Sequence, residues 1–137
     1  MKKAFSTKWK SSKRPAKQRK YRGKAPLHIK YKFLSAHLSK DLRKKYGKRR
    51  LPVIKGDKVK VVRGQFKKRE NKVERVDLKK TKVYITGVER TKKDGSKSMQ
   101  PINPSNIIIT ELNLDDKKRK QAIEKKVKKE KEHNEEK

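Results

Sequence analysis

Between Lys58 and Val61 the chain alternates lysine with valine, the period-two pattern of a strand with one buried face. Gly64 breaks the run, a polar and mostly basic loop follows from Gln65 to Asn71, and alternation returns at Val73 and Val76 and again at Val83 and Ile85. Asp94-Gly95 is a strong hairpin signal, because that turn needs positive φ. It is predicted to join a strand ending near Arg90 to one near Met99–Ile102. Pro101 and Pro104 bracket a bend, and Asn106 leads into Ile107-Ile108-Ile109, a short apolar strand. About five strands over residues 51–114 match the size of a small SH3-like barrel, so the fold class reads as mainly β.

The flanking segments carry helical patterns. Pro26 suits the first turn of a short helix with Ile29, Phe33 and Leu34 as its apolar positions, although Ile29, Tyr31 and Phe33 also alternate. Leu38, Leu42 and Tyr46 fall at i, i+4 and i+8 and predict a second helix, with Ser35 or Ser39 as its cap and Gly47 as its stop. Lys44 and Lys45 suit its negative C-terminal end. Asp115-Asp116 can cap a last helix running to about Glu132, whose only apolar residues are Ala122, Ile123 and Val127. A Glu124–Lys128 pair adds a few tenths of a kcal/mol at best. The expected organisation is a basic arm (1–24), a helical extension strapped to the barrel (25–50), the barrel (51–114), and a charged helix and tail (115–137).

Charge changes the picture. Against 15 acids stand 46 Lys and Arg, a formal net charge of +31, while 29% of residues are hydrophobic. So few apolar residues cannot bury the whole chain, and so much like charge calls for a polyanionic partner, nucleic acid above all. The first acid is Asp41, and residues 1–24 show no apolar periodicity. This arm is expected to be disordered alone and to order against RNA. Trp9 and Tyr21 lie among Lys8, Lys10, Arg14, Arg19, Lys20 and Arg22, a mixture in which cations meet phosphates and rings stack on exposed bases. Packing on the protein's own domain is an equal reading for Trp9. Further candidate RNA contacts are Arg43 and Lys44 on the outer face of the second helix, and Lys48-Arg49-Arg50 after it. Arg63, Gln65, Lys67, Lys68, Arg69 and Asn71 follow in the loop, then Arg90, Lys92 and Lys93 at the hairpin.

Other chemistry is thinly supported. Without cysteine there is no disulfide, thiol nucleophile or Cys-ligated zinc. No apolar run reaches the roughly 18 residues of a membrane span, and the basic N-terminus lacks the core of a secretory signal. His28, His37 and His133 sit in helical or tail segments without metal-ligand spacing. Asp57 reads as a turn or capping residue. The chain is therefore expected to be soluble, intracellular and not an enzyme, with no cofactor, metal, small-molecule substrate, membrane partner or homo-oligomer.

Residues 56–77, GDKVKVVRGQFKKRENKVERVD, resemble the KOW motif of ribosomal proteins and transcription elongation factors. Gly56, Asp57, Val59, Val61, Gly64, Lys67, Val73 and Val76 carry the match. Where that family places loop glycines this chain has Lys68 and Asn71, and Asn71, the better residue for a left-handed conformation, is expected to keep the turn. The stretch SAHLSKDLRKKYGKRRLPVIKGD and the distant INPSNIIIT resemble one family, the ribosomal proteins numbered twenty-four in bacteria and archaea and twenty-six in eukaryotes. The long extension before the barrel is similar to the archaeal and eukaryotic type. The resemblance implies a large-subunit protein on the 5′-proximal rRNA, next to other ribosomal proteins, acting early in assembly near the polypeptide exit tunnel. A transcription-associated KOW protein and a nucleoid DNA-coating protein are the alternatives.

Overall fold

The computed structural model describes residues 4–124 and contains both helices and sheet. After a 3-10 turn at Thr7–Ser11 come α1 (Pro15–Lys24), α2 (Leu27–Phe33), β1 (Ser35–Leu38), α3 (Lys40–Tyr46) and β2 (Arg50–Pro52). Then follow β3 (Lys58–Val61), β4 (Glu70–Asp77), β5 (Lys82–Ile85), β6 (Glu89–Thr91) and β7 (Lys97–Met99). A 3-10 turn at Pro104–Asn106 leads into β8 (Ile107–Glu111), and residues 117–124 are helical (α4). Val127, Lys128, His133 and the expected helix end near Glu132 lie outside the described residues.

Six strands form one sheet in the order β2-β1-β8-β3-β4-β5, and β6 and β7 make a separate hairpin around Asp94-Gly95. Register shifts between Lys58 and Val59 and between Val73 and Arg75 bend the sheet. Val83 of the edge strand β5 meets Ile102, just before the turn into β8. The far edge, β2, pairs only with β1, so the sheet remains open. The expected mainly-β closed barrel is therefore corrected to a mixed α and β fold around an open six-stranded sheet. Inward residues of alternating strands, among them Val59, Val61, Val73, Val83, Ile85, Ile107 and Ile109, form the core with Leu34, Leu38 and Ile123. Each such side chain contributes about 1.5–3 kcal/mol by leaving water.

The extension departs from its expected helices. Leu38 belongs to β1, where Ala36 and Leu38 point inward and His37 outward, and where β1 runs antiparallel to β2 and parallel to β8. The period-two pair Ala36/Leu38 prevails because it places both side chains in the sheet's core, whereas a helical Leu38 would leave Ala36 outside it. His37 accordingly lies on a strand. The helix starts two residues after Leu38, at Lys40. Ser39 caps α3 by accepting from Leu42 N at 3.3 Å, and Gly47 ends it in the left-handed region at φ 58°.

One polar knot ties the chain's distant parts. Asp57 is fully buried, and its carboxylate accepts from Ile54 N at 3.0 Å and Asn113 N at 2.9 Å. The Arg119 guanidinium from α4 grips it with both ends, Nη1 to Oδ1 at 2.7 Å and Nη2 to Oδ2 at 2.9 Å. Arg119 also donates to the carbonyls of Asn113 at 2.7 Å and Pro52 at 3.1 Å. Asp57 thus fills the turn role expected of it and also anchors α4 to the sheet. Gly56 takes φ +90°, a conformation that favours glycine, and a Cβ there would displace the Asn113 carboxamide, whose Nδ2 would lie 2.6 Å away.

Lys68 takes φ 73°, while Asn71 is an extended β4 residue paired with Val59. The expectation that Asn71 keeps the turn is corrected. The ladder with β3 already reaches Asn71, so the left-handed step falls three residues earlier.

Two stability measurements follow. Arg119→Ala leaves a buried unpaired carboxylate and is expected to cost about 3–5 kcal/mol in denaturant unfolding, with Arg119→Lys recovering only part because an ammonium cannot grip both oxygens. Lys68→Gly relieves a left-handed backbone and is expected to raise stability by up to about 1 kcal/mol in the same assay.

Candidate nucleic-acid interface

The loop between β3 and β4 is braced from within. Lys67 N donates to Gly64 O at 3.1 Å, Arg69 N to Phe66 O at 3.2 Å, and Lys68 N to Val61 O at 2.9 Å. Phe66 packs against the core, the Arg69 guanidinium lies 5.0 Å over its ring, and Arg69 Nη1 donates to Gly87 O at 2.7 Å. Lys67 and Lys68 are left exposed at the tip, without a side-chain partner among the described residues. Gln65 and Asn71 are exposed beside them; Asn71 Oδ1 accepts from Lys72 N at 2.9 Å, which leaves its amide NH2 group available.

A cleft of about 170 Å³ opens next to this loop, lined by Arg63, Gln65, Phe66, Lys82, Gln100, Asn103 and Asn106. Asn103 also lines a second cleft with Arg22, Phe33 and Ser35, and these three border a third with Lys10, Tyr21, Lys32 and Arg50. Tyr21 in turn lines a fourth, of about 540 Å³, within the arm. Neighbouring clefts share these residues, so they lie side by side as a furrow of separate clefts from the loop to the arm. Cations and carboxamides make up half of its lining residues, groups suited to phosphates, sugars and base edges.

The furrow gathers Lys8, Trp9, Lys10, Tyr21, Arg22, Arg50, Arg63 and Gln65 from the residues singled out by sequence. Lys67, Lys68, Arg69 and Asn71 stand at its loop end. Arg14 and Arg19 are exposed on the arm, Lys44 and Arg49 at and after α3, and Arg90, Lys92 and Lys93 on the hairpin. Besides Arg69, two further candidates have internal partners: Arg43 Nε donates to Leu38 O at 2.8 Å, and Lys48 Nζ to Ala122 O at 2.7 Å. Lys17, Lys24, Lys32, Lys82, Gln100, Asn103, Asn106 and Phe5 line the furrow without having been singled out. Lysine in so basic a chain carries no positional signal, and the three carboxamides at 100–106 meet the loop only through the sheet.

In the arm, Gln18 Nε2 donates to Lys10 O at 2.9 Å and Ser12 O at 2.6 Å, tying the first turn to α1. Tyr21 sits between Phe5, 4.9 Å away, and the edge of Phe33, 6.1 Å away, while Arg22 lies 5.6 Å over Phe33. Tyr21 therefore packs on its own protein, whereas Trp9 is 47% exposed. Of the two readings for Trp9, the geometry favours an outward-facing ring.

Three charged groups depart from their ordinary range. Donors from Ser96 Oγ and Ser96 N hold the Asp94 carboxyl below its usual range, and Lys80 N does the same for Asp77. Lys58 is raised by its hydrogen bond and ion pair with Glu111, at 2.9 Å. Among the described residues no helix is long and apolar enough to cross a membrane, and no three His, Cys, Asp or Glu side chains gather as metal ligands.

Comparison with known proteins bears on what such a surface serves. Residues 12–126 match the family that unites the eukaryotic L26 ribosomal proteins with their archaeal L24 counterparts. A relative from Methanosphaera stadtmanae, the large ribosomal subunit protein uL24, is 51% identical over 116 residues, spanning 85% of this chain and 99% of its own. The chain therefore belongs to the family of eukaryotic L26 and archaeal L24 ribosomal proteins.

Proposed function

We propose that this protein is a structural, non-catalytic constituent of the large subunit of the cytoplasmic ribosome, bound to large-subunit rRNA through the furrow and the β3–β4 loop. The observation that carries the RNA contact is a braced loop presenting Lys67 and Lys68, next to a row of adjoining clefts with cations in their walls, on a chain of net charge +31. The loop is the KOW element in this reading. It is presented by the curled sheet much as a small SH3-like barrel would present it, with Gln65 and Asn71 hydrogen-bonding sugars or base edges.

The arm, residues 1–24, neutralises phosphates as it threads between RNA helices. None of the residues of α1 is buried; Tyr21 and Arg22 tie it to Phe33, and in this reading the RNA supplies the rest of its order. Residues 25–50 strap it to the sheet, and the segment from residue 115 is pinned by Arg119. Such contacts position the protein, while specificity comes from the shape of folded RNA and its 2′-hydroxyls. A site near the 5′ end of the rRNA, early action in assembly, a place near the exit tunnel and contacts with neighbouring ribosomal proteins follow from the family resemblance alone.

Replacing Lys67, Lys68 and Arg69 with Ala is expected to flatten the salt dependence of binding to a 5′-region rRNA transcript by about two units of log–log slope. An unchanged slope removes the loop from the interface. Deleting residues 1–24 is expected to weaken binding while cooperative unfolding persists; loss of cooperativity contradicts the proposed boundary. In cell lysate the protein is expected to stay with the large subunit through a high-salt wash, and migration with polymerase or chromatin instead favours a transcription or DNA-coating role.

A further inference from the structure

The widest cleft of the furrow differs from the rest. Phe5, Trp9 and Tyr21 give it an aromatic wall, and Lys8, Lys17 and Lys20 stand around the same opening. At about 540 Å³ it falls within the roughly 300–1,000 Å³ of small-ligand clefts. Phe5 and Tyr21 hold each other at 4.9 Å, Tyr21 is backed by Phe33, and Gln18 fixes the turn that carries Trp9 to the helix that carries Tyr21. The rings are thus positioned by their own protein, while Trp9 keeps 47% of its surface in water.

Aromatic walls serve two kinds of ligand, cations and flat π-systems. The lysines oppose a cation. They suit a flat ring that brings its own negative charge, and a nucleotide has that composition. We infer that this cleft takes one unstacked nucleotide of the bound RNA chain, its base against Trp9 and Phe5 and its phosphates on Lys8, Lys17 and Lys20. The inference rests on the RNA-binding reading above. It makes the arm a holder of one extruded base as well as a phosphate neutraliser, and it ascribes to Phe5 a role that no charge argument would give.

Trp9 is the single tryptophan of the chain, so its fluorescence reports the cleft directly. The full chain is titrated with a short oligoadenylate, with an abasic oligomer of the same length and charge, and with a polyglutamate peptide. The oligoadenylate is expected to quench Trp9 and to bind about tenfold or more tighter than the abasic oligomer, the scale of ring–base stacking. Anisotropy with labelled oligoadenylate then compares the double variant Phe5→Ala/Trp9→Ala with the wild type. The variant is expected to lose about tenfold in affinity with an unchanged salt slope, since rings neutralise no phosphate. Replacing Lys67, Lys68 and Arg69 with Ala should instead lower the slope.

Equal quenching by the abasic oligomer or by polyglutamate overturns the base site. So does an unchanged affinity in the double variant. If the loop variant still weakens binding in those cases, the RNA-binding reading survives without the base site. If no RNA binds at all, both fall. Neither Phe5 nor Trp9 belongs to the core, so unchanged cooperative unfolding shows that the sheet is intact, and unchanged helical circular dichroism of the variant excludes loss of α1 as the cause.

Discussion

Asp57 is the one charged residue fully withdrawn from water among the described residues, and the chain closes around it. A lone buried carboxylate costs several kcal/mol, so the turn at Ile54, the strand end at Asn113 and the guanidinium of Arg119 must all be in place together. That requirement couples four segments of the chain. It draws the end of β2 through Pro52 O, the start of β3, the exit from β8 and α4 into one junction. Ile123, on the same short helix, then reaches the core and is almost wholly buried. A helix with so thin an apolar face would not hold the sheet by hydrophobic burial alone, and the ion pair sets its position.

Elsewhere the same economy runs outward. The core is built from valines, isoleucines and leucines of short strands, and nearly every cation is left at the surface. An excess of 46 basic over 15 acidic residues opposes compaction, and pairing inside the chain relieves little of it: Lys58 with Glu111 and Arg119 with Asp57 are the ion pairs among the described residues. Neutralisation has to come from a partner. A folded RNA supplies phosphates at close spacing, and the furrow offers a path along which several can be met at once.

The strands were legible where period and punctuation agreed. Val59 and Val61, Val83 and Ile85, the Asp94-Gly95 turn and the run at Ile107 each stand where alternation and turn chemistry place them. Ser39 and Gly47 marked the ends of α3 for the same reason. Leu38 misled because its spacing to Leu42 and Tyr46 also fits a helix, and only pairing with the distant β8 decides the matter. Arg119 was invisible as a structural residue. It lies 62 positions from Asp57, in a stretch where basic residues are the background. The furrow was half legible: aromatic residues among cations flagged Trp9 and Tyr21, but the carboxamides Gln100, Asn103 and Asn106 join the site only through the way the sheet folds back at Ile102.

In the proposed RNA-binding role the loop and the arm divide the work in a way that their construction explains. Lys68 occupies a left-handed position that disfavours any side chain by about 1–2 kcal/mol, yet it puts a cation at the loop tip. That conformation persists because Phe66 is packed below it and Arg69 is tied to Gly87. A tip held this firmly loses little entropy on meeting a phosphate, so it can fix the protein's register on the RNA. The arm has no buried residue in α1 and is held by ring contacts to Phe5 and Phe33, so it can adjust to the RNA surface more than the loop can. A rigid contact that sets register, followed by an adaptable one that adds affinity, requires the two to be joined at a fixed distance. The sheet supplies that spacing, and the Asp57–Arg119 junction helps keep it constant.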